Sequence, residues 1–343
     1  MLDTLFSRIR PQTLSRTIMT SSPFTSVART KTTIAVAQIR STADPIHNLE
    51  ISRKVINKAA EAGAKAIFLP EASDFINQSF PESRKLSLPL AQHPYTLGLQ
   101  QTAKELGVTI SVGIHEGPDS EEEERFYNSH VIIGGDGQVK ANYRKLHLYD
   151  VELTKPPNED GTIPPPQRTG ESDRILPGQK VVPPVDIEGL GKVGLEICYD
   201  IRFPELSMIL TRLGATTLLF PSAFMVKTGR DHWEYFIFQR SQAIQSQSYV
   251  IASAQYGAHN PKRTSWGESI AFDPWGKQLG RLRSVDDTPP GEDKEVERIY
   301  EEEGEFFLIE IDDQIVKDTR SQIPLGVQRR TDIYGVVGEN VNV

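Results

Sequence analysis

Apolar positions along this chain come in short blocks that switch between strand-like and helix-like spacing. Thr33-Ile-Ala-Val-Ala-Gln-Ile39 is a compact apolar run of strand length. Asp44-Pro45 follows it, a capping residue and a first-turn proline, and predicts a helix reaching Gly63. Ile46, Leu49, Val55, Ile56 and Ala60 fall on its expected inner face. Residues 66–69 read as a strand, 94–106 as a helix and 108–114 as a strand. Two more strands flank Gly134-Gly-Asp-Gly137, whose composition is that of a hairpin turn. Further on, the run 193–197 is a strand. Pro204 opens a helix with Leu206, Ile209, Leu210 and Leu213 on one face, closed by Gly214. Strands are predicted at 216–220 and 249–254, with a helix from Asp231 to about Ser246 between them. Trp233, Phe236 and Ile237 share a face of that helix and are assigned to the core. The last strands lie near 267–273 and 305–311.

Strands that alternate with helices, interrupted by hairpins, predict a mixed sheet covered by helices, an α/β fold. No internal repeat and no domain-scale linker is visible, so residues 33–335 are read as one domain with a short tail, 336–343. The proline-rich stretch 155–168 reads as a long loop, and loops of that size are often functional. Ligands of open α/β sheets bind beyond the carboxyl ends of strands. Phe68-Leu-Pro-Glu71, Leu195-Glu-Ile-Cys198 and Leu219-Phe-Pro-Ser222 each end a strand on a polar or reactive group. Their ends are expected to meet.

Composition narrows this picture. The 343 residues are 38% hydrophobic, enough for a core at this length, and contain one cysteine. A single cysteine excludes an internal disulfide and any paired-cysteine zinc site. No apolar run approaches the ~20 residues of a membrane helix. The net charge of −8 is concentrated in residues 284–304, which carry nine acidic and two basic side chains. That stretch reads as a solvated surface insertion, and the near-neutral remainder argues against nucleic-acid binding. Residues 1–32 hold Arg8, Arg10, Arg16, Arg29 and Lys31 against a single acid, Asp3. With Leu2, Leu5, Phe6 and Ile9 on one helical face, they have the composition of a mitochondrial targeting segment or a disordered tail. Initiation at Met19 would give a cytoplasmic form without the arginine-rich head.

Cys198 sits between the strand 193–197 and the helix opened by Pro204, a sharp turn of the kind that presents a nucleophile. A thiol attacking an amide needs a base, a cation or N–H donors for the oxyanion, and a proton for the leaving amine. Glu71 on the same rim is a candidate base and acid. Lys145 in Tyr143-Arg-Lys-Leu-His147 is a candidate cation, and the Tyr199 N–H a second oxyanion donor. His147 and His232 offer a competing Cys–His pairing, which spacing alone leaves open. A cysteine phosphatase loop would need arginine six residues after the cysteine, and position 204 is proline.

Phe68-Leu-Pro-Glu-Ala72, Tyr143-Arg-Lys-Leu-His147 and Gly194-Leu-Glu-Ile-Cys-Tyr-Asp-Ile-Arg-Phe-Pro-Glu205, in this order, resemble the nitrilase (carbon–nitrogen hydrolase) superfamily. The resemblance spans nearly all of residues 33–335. It implies a four-layer α-β-β-α sandwich and a homodimer or higher homo-oligomer. It also implies a small-molecule amide substrate, with no metal, organic cofactor, nucleic acid or membrane partner. It gives Cys198 the nucleophile role, Glu71 the proton-transfer role and Lys145 the oxyanion role. It sides with glutamate against the histidines. The superfamily's second active-site glutamate maps to Glu171 in Gly170-Glu-Ser-Asp173.

Thr228-Gly-Arg-Asp-His-Trp233, Ala254-Gln-Tyr-Gly-Ala-His259, Lys262-Arg-Thr-Ser265 and Asp273-Pro-Trp-Gly276 resemble the superfamily's amidases for the α-keto-acid form of glutathione. Those enzymes release 2-oxoglutarate and cysteinylglycine. ω-Amidases share the Thr-Gly and His-Trp pairs but match the Gly-Ala-His and Lys-Arg strings less well, and a non-catalytic binding protein on the same fold is a third reading. A 2-oxo-carboxylate asks for a fixed cation. Arg202 is the expected clamp, with Phe224 and Thr228 lining the same end; an internal ion pair is the alternative role for Arg202.

Overall fold

The computed structural model describes residues 31–120, 122–154, 157–233, 238–288 and 293–343. The targeting segment up to residue 30, the start at Met19, and the core assignments of Phe236 and Ile237 lie outside the described residues.

Two sheets carry the fold, and they share one plan. In the first, the parallel strands Lys31–Gln38, Ala66–Phe68 and Thr109–Glu116 lie side by side. Phe126–Ile133 and Val139–Arg144 continue it antiparallel, and Glu305–Asp312 closes the opposite edge antiparallel. In the second, Gly191–Leu195, Thr217–Leu219 and Tyr249–Ala252 are parallel. Ile270–Phe272 and Gln278–Arg281 follow antiparallel, and Val185–Ile187 closes the other edge. The chain has no visible sequence repeat, yet its architecture is duplicated. The duplication lies in strand order and direction, which many different apolar side chains satisfy equally well.

Alternation along the strands sets the layers. Ile34, Val36, Ala66 and Phe68 join a large core with Leu195, Leu218 and Phe272 of the second sheet. Their neighbours Ala35, Ala37, Ile67 and Leu69 face the opposite way, against the helices Pro45–Glu61 and Pro94–Leu106. The helices Pro204–Arg212 and Phe238–Ser246 cover the second sheet. The result is helix, sheet, sheet, helix. Among the described residues, no helix is long and apolar enough to cross a membrane.

Three expectations need correction. Ile46 is 71% exposed, because the inward stripe of its helix runs through Asn48, Ile51, Ser52, Val55, Ile56 and Ala59 and passes it by. The helix expected from Asp231 starts earlier, as Val226–His232, with a separate helix at Phe238–Ser246. Gly229 lies inside the first of these, where Trp266 packs so closely that a Cβ would be 2.2 Å from the indole. Trp233 is buried as expected. The acidic stretch 284–304 is not simply a solvated insertion. It contains the helix Asp293–Glu302, whose Val296 and Tyr300 are buried against Tyr256.

Candidate active site

Both sheets deliver their reactive residues to one cavity of about 460 Å³, whose walls include Glu71, Lys145, Glu171, Cys198 and Tyr199. Glu71 follows the strand Ala66–Phe68, and Cys198 follows Gly191–Leu195. A backbone position that few side chains adopt lies at or beside each: Cys198 has φ 46°, and Ala72, next to Glu71, has φ 53°. The Cys198 N–H is anchored to Pro221 O at 3.0 Å, so the turn is tied to the neighbouring strand end. A one-turn 3₁₀ helix, Cys198–Arg202, begins at the nucleophile. The Tyr199 N–H at its start has no protein acceptor among the described residues. It is free to meet an oxyanion.

Lys145 ends the strand Val139–Arg144 and is almost fully buried. Its Nζ lies 3.2 Å from Glu71 Oε1 and 3.0 Å from both Glu171 carboxylate oxygens. Asn128 Nδ2 donates to Glu71 at 2.7 Å and to Glu171 at 3.2 Å. The Tyr149 N–H donates to Glu171 at 2.6 Å. Residues 157–166 of the proline-rich stretch form a loop, as expected, and the hairpin that carries this loop brings Glu171 to this point. The arms of the hairpin are Asp150–Leu153 and Gln167–Gly170, and Glu171 is the first residue beyond it.

The electrostatics assign protonation states. Burial disfavours the Lys145 charge, but Glu171 and then Glu71 outweigh it, so the amine is an ammonium well above its usual range. Burial also opposes ionisation of Glu71. The Lys145 charge and hydrogen bonds from Asn128, Cys198 and Lys145 overcome that, and its pKa falls below 4.5. Burial and the Glu71 charge push the Cys198 thiol well above 9.0, with Lys145 and the Ala223 N–H offsetting only part. The resting set is therefore thiol, carboxylate and ammonium.

The histidines are placed elsewhere. His147 Nδ1 lies 2.7 Å from Asp200 Oδ1, and its ring stacks on Phe203. His232 Nδ1 lies 2.9 Å from Arg202. Phe224 and Thr228 line the cavity as expected, but Arg202 is not among its wall residues; its guanidinium is turned to His232. Arg263 takes a wall position instead. Asn128 and Asp200 were not foreseen. Asp200 accepts from Ile197 N at 2.8 Å, Tyr143 Oη at 2.7 Å and His147 N at 3.1 Å, and so joins the nucleophile turn to the segment carrying Lys145. A buried aspartate two residues after the cysteine, and an asparagine inside an apolar strand, were the available signals. No group of three or more His, Cys, Asp or Glu among the described residues is arranged to hold a metal ion.

The sequence profile of the carbon–nitrogen hydrolase family matches residues 33–287. The chain is 40% identical over 328 residues to the deaminated glutathione amidase of Bos taurus, covering 94% of this chain and 88% of that protein. It is 33% identical over 312 residues to the chloroplastic omega-amidase of Arabidopsis thaliana, covering 90% and 75%. The solved C. elegans NitFhit protein superposes with a TM-score of 0.75 at 35% identity, over 90% of this chain and 67% of that one. The duplicated sheets and covering helices form the α-β-β-α sandwich, and the chain belongs to the carbon–nitrogen hydrolase family.

Proposed function

We propose that the protein is an amidase that hydrolyses deaminated glutathione to 2-oxoglutarate and cysteinylglycine through a thioester on Cys198. The observation that carries this is the meeting of a protonated thiol, an ionised glutamate and a buried ammonium on one cavity wall. Glu71 takes the thiol proton as sulfur attacks the amide carbonyl. Lys145 Nζ and the Tyr199 N–H receive the oxyanion. The proton on Glu71 passes to the departing amine, which leaves as neutral cysteinylglycine amine, and the C–N bond breaks. Glu71 then removes a proton from water, hydroxide adds to the thioester, and the restored thiol takes the proton back. Glu171 holds Lys145 charged and in place throughout. The names of the relatives favour this substrate; the omega-amidase relative supports 2-oxoglutaramate as the competing one.

The reading includes a homodimer or larger homo-oligomer, and a mitochondrial or cytoplasmic location set by the start site. The test compares 2-oxoglutarate release from deaminated glutathione and from 2-oxoglutaramate, with mass spectrometry of quenched enzyme. Higher kcat/KM on deaminated glutathione and a 2-oxoglutaryl adduct on Cys198 are expected. A large preference for 2-oxoglutaramate would replace the substrate. An absent adduct together with absent turnover would leave a non-catalytic protein.

A further inference from the structure

The cavity wall carries four cations, and two of them are already neutralised. Lys145 lies between Glu71 and Glu171. Arg168 forms two hydrogen bonds to Asp173, at 2.9 and 3.0 Å. Arg263 and Arg174 have no carboxylate ion pair among the described residues. Arg263 donates from one terminal nitrogen to Ala223 O at 2.8 Å, while its buried Nε has no partner. Arg174 makes a long contact to Gln78 O at 3.4 Å and lies near the Phe80 ring, with Asp173 close enough to feel its charge. A buried guanidinium nitrogen with no acceptor is costly unless a ligand supplies one.

The two arginines are tied to different stretches of the cavity wall. Arg263 is fixed to Ala223, whose own N–H faces the Cys198 sulfur, and Phe224 and Thr228 belong to the same end. Arg174 lies two residues beyond the Glu171 turn's middle, beside Ile175, which pairs with Phe126. Phe126 is two residues from Asn128 on one strand, hence on the same face, and Asn128 donates to Glu71. Glu71 delivers the proton to the leaving amine, so its side of the cavity is the amine side. The side of Phe224 and Arg263 is then the acyl side.

We infer that Arg263 is the cation that receives the carboxylate of the acyl half of the substrate, and that Arg174 receives the carboxylate of the leaving amine half. The cavity is thereby matched to amides that carry an anion on each side of the scissile bond. A planar guanidinium grips a carboxylate with two parallel bonds, which a lysine does not reproduce. This inference rests on the proposed function and names the residues that read its substrate.

The experiment measures kcat and KM of wild type, Arg263→Met, Arg263→Lys and Arg174→Met on deaminated glutathione and 2-oxoglutaramate. Calorimetric binding of 2-oxoglutarate is measured in parallel, and thermal unfolding checks that each variant is folded. Arg263→Met is expected to raise KM for both substrates roughly tenfold or more, and to weaken 2-oxoglutarate binding similarly. Arg263→Lys should recover part of both. Arg174→Met should raise KM for deaminated glutathione at least ~3-fold more than for 2-oxoglutaramate, which lacks the second carboxylate. Equal 2-oxoglutarate affinity in wild type and Arg263→Met, or no binding to wild type, overturns the Arg263 assignment whatever the turnover. Equal effects of Arg174→Met on the two substrates overturn the Arg174 assignment. Wild-type turnover of neither substrate defeats the functional reading alone, since the binding arm still decides Arg263.

Discussion

Cys198 faces two opposing demands: it must be unreactive at rest and a strong nucleophile once substrate is seated. Burial and the neighbouring Glu71 charge keep its proton on at neutral pH, and the same carboxylate is the nearest place for that proton to go. The pH profile follows from these directions. Glu71 titrates below 4.5, so the acid limb of kcat/KM should lie below the ordinary glutamate range. Lys145 holds its proton beyond 10.5, so no alkaline limb should come from its deprotonation near neutrality. A flat profile from about pH 6 to 8 is expected. Glu71→Gln removes the proton acceptor but leaves the Lys145–Glu171 pair, and should lower kcat by roughly 10²–10⁴-fold. A variant that keeps wild-type kcat would show that another group takes the thiol proton. The glutamate and cysteine were legible in the sequence because each follows a strand run, where position along the chain predicts position on the rim; the lysine was legible through the motif Tyr143-Arg-Lys-Leu-His147. Arg263 and Asp200 were not. Asp200 makes its bonds to residues as far as 57 positions away, and no local pattern announces such partners.

At the scale of the element, the strand ends hold the site only because neighbouring backbones approach closely. Gly113, on the strand Thr109–Glu116, shows this. A Cβ there would stand 2.5 Å from the Glu71 Cα and 3.1 Å from Pro70 O. The Gly113 N–H also donates to Pro70 O at 3.0 Å, and its carbonyl accepts from the Ser73 N–H at 2.9 Å. Gly113→Ala cannot be accommodated by a side-chain rotation, since the obstructing atoms are backbone. It should displace Glu71, lowering kcat on the order of 10²-fold and stability by about 1–3 kcal/mol. Kinetics and chemical denaturation of the purified variant measure both; wild-type values would mean that the strands can part without cost. Strand identity was readable here from apolar runs, but the closeness was not, because a glycine in a strand reads equally as a weak point. Helix boundaries failed for a related reason. Asp231 looks like a start, whereas the helix begins at Val226 and runs through Asp231, packed against Trp266 at Gly229.

For the whole molecule, the site depends on how the two sheets are held face to face. Ser253 Oγ donates to Phe68 O at 2.9 Å, and Ser269 Oγ to Ala37 O at 2.9 Å. Gln255 Nε2 donates to Glu71 O at 3.0 Å and to Ser41 Oγ at 2.7 Å, fixing the strained peptide that follows the base. These bonds cross from the second half of the duplicated fold to the first. The acidic segment 284–304 belongs to this cross-bracing. Tyr300 is fully buried, stacks on Tyr256 next to Gln255, and accepts from Gln38 Nε2 at 2.7 Å. Gln38 in turn accepts the Ser269 N–H at 2.8 Å. Arg40 adds an ion pair to Glu301 at 2.6 Å. The charge run suggested a solvated appendage because nine acids outweigh two apolar anchors in any composition count, while Val296 and Tyr300, four residues apart, are one helical face. An appendage could lose an aromatic ring at a cost within ~0.5 kcal/mol. A docked brace should lose about 3–5 kcal/mol on Tyr300→Ala and far less on Tyr300→Phe, which keeps the stack. Denaturant unfolding separates the two, and an alanine variant as stable as wild type would return this helix to the solvent.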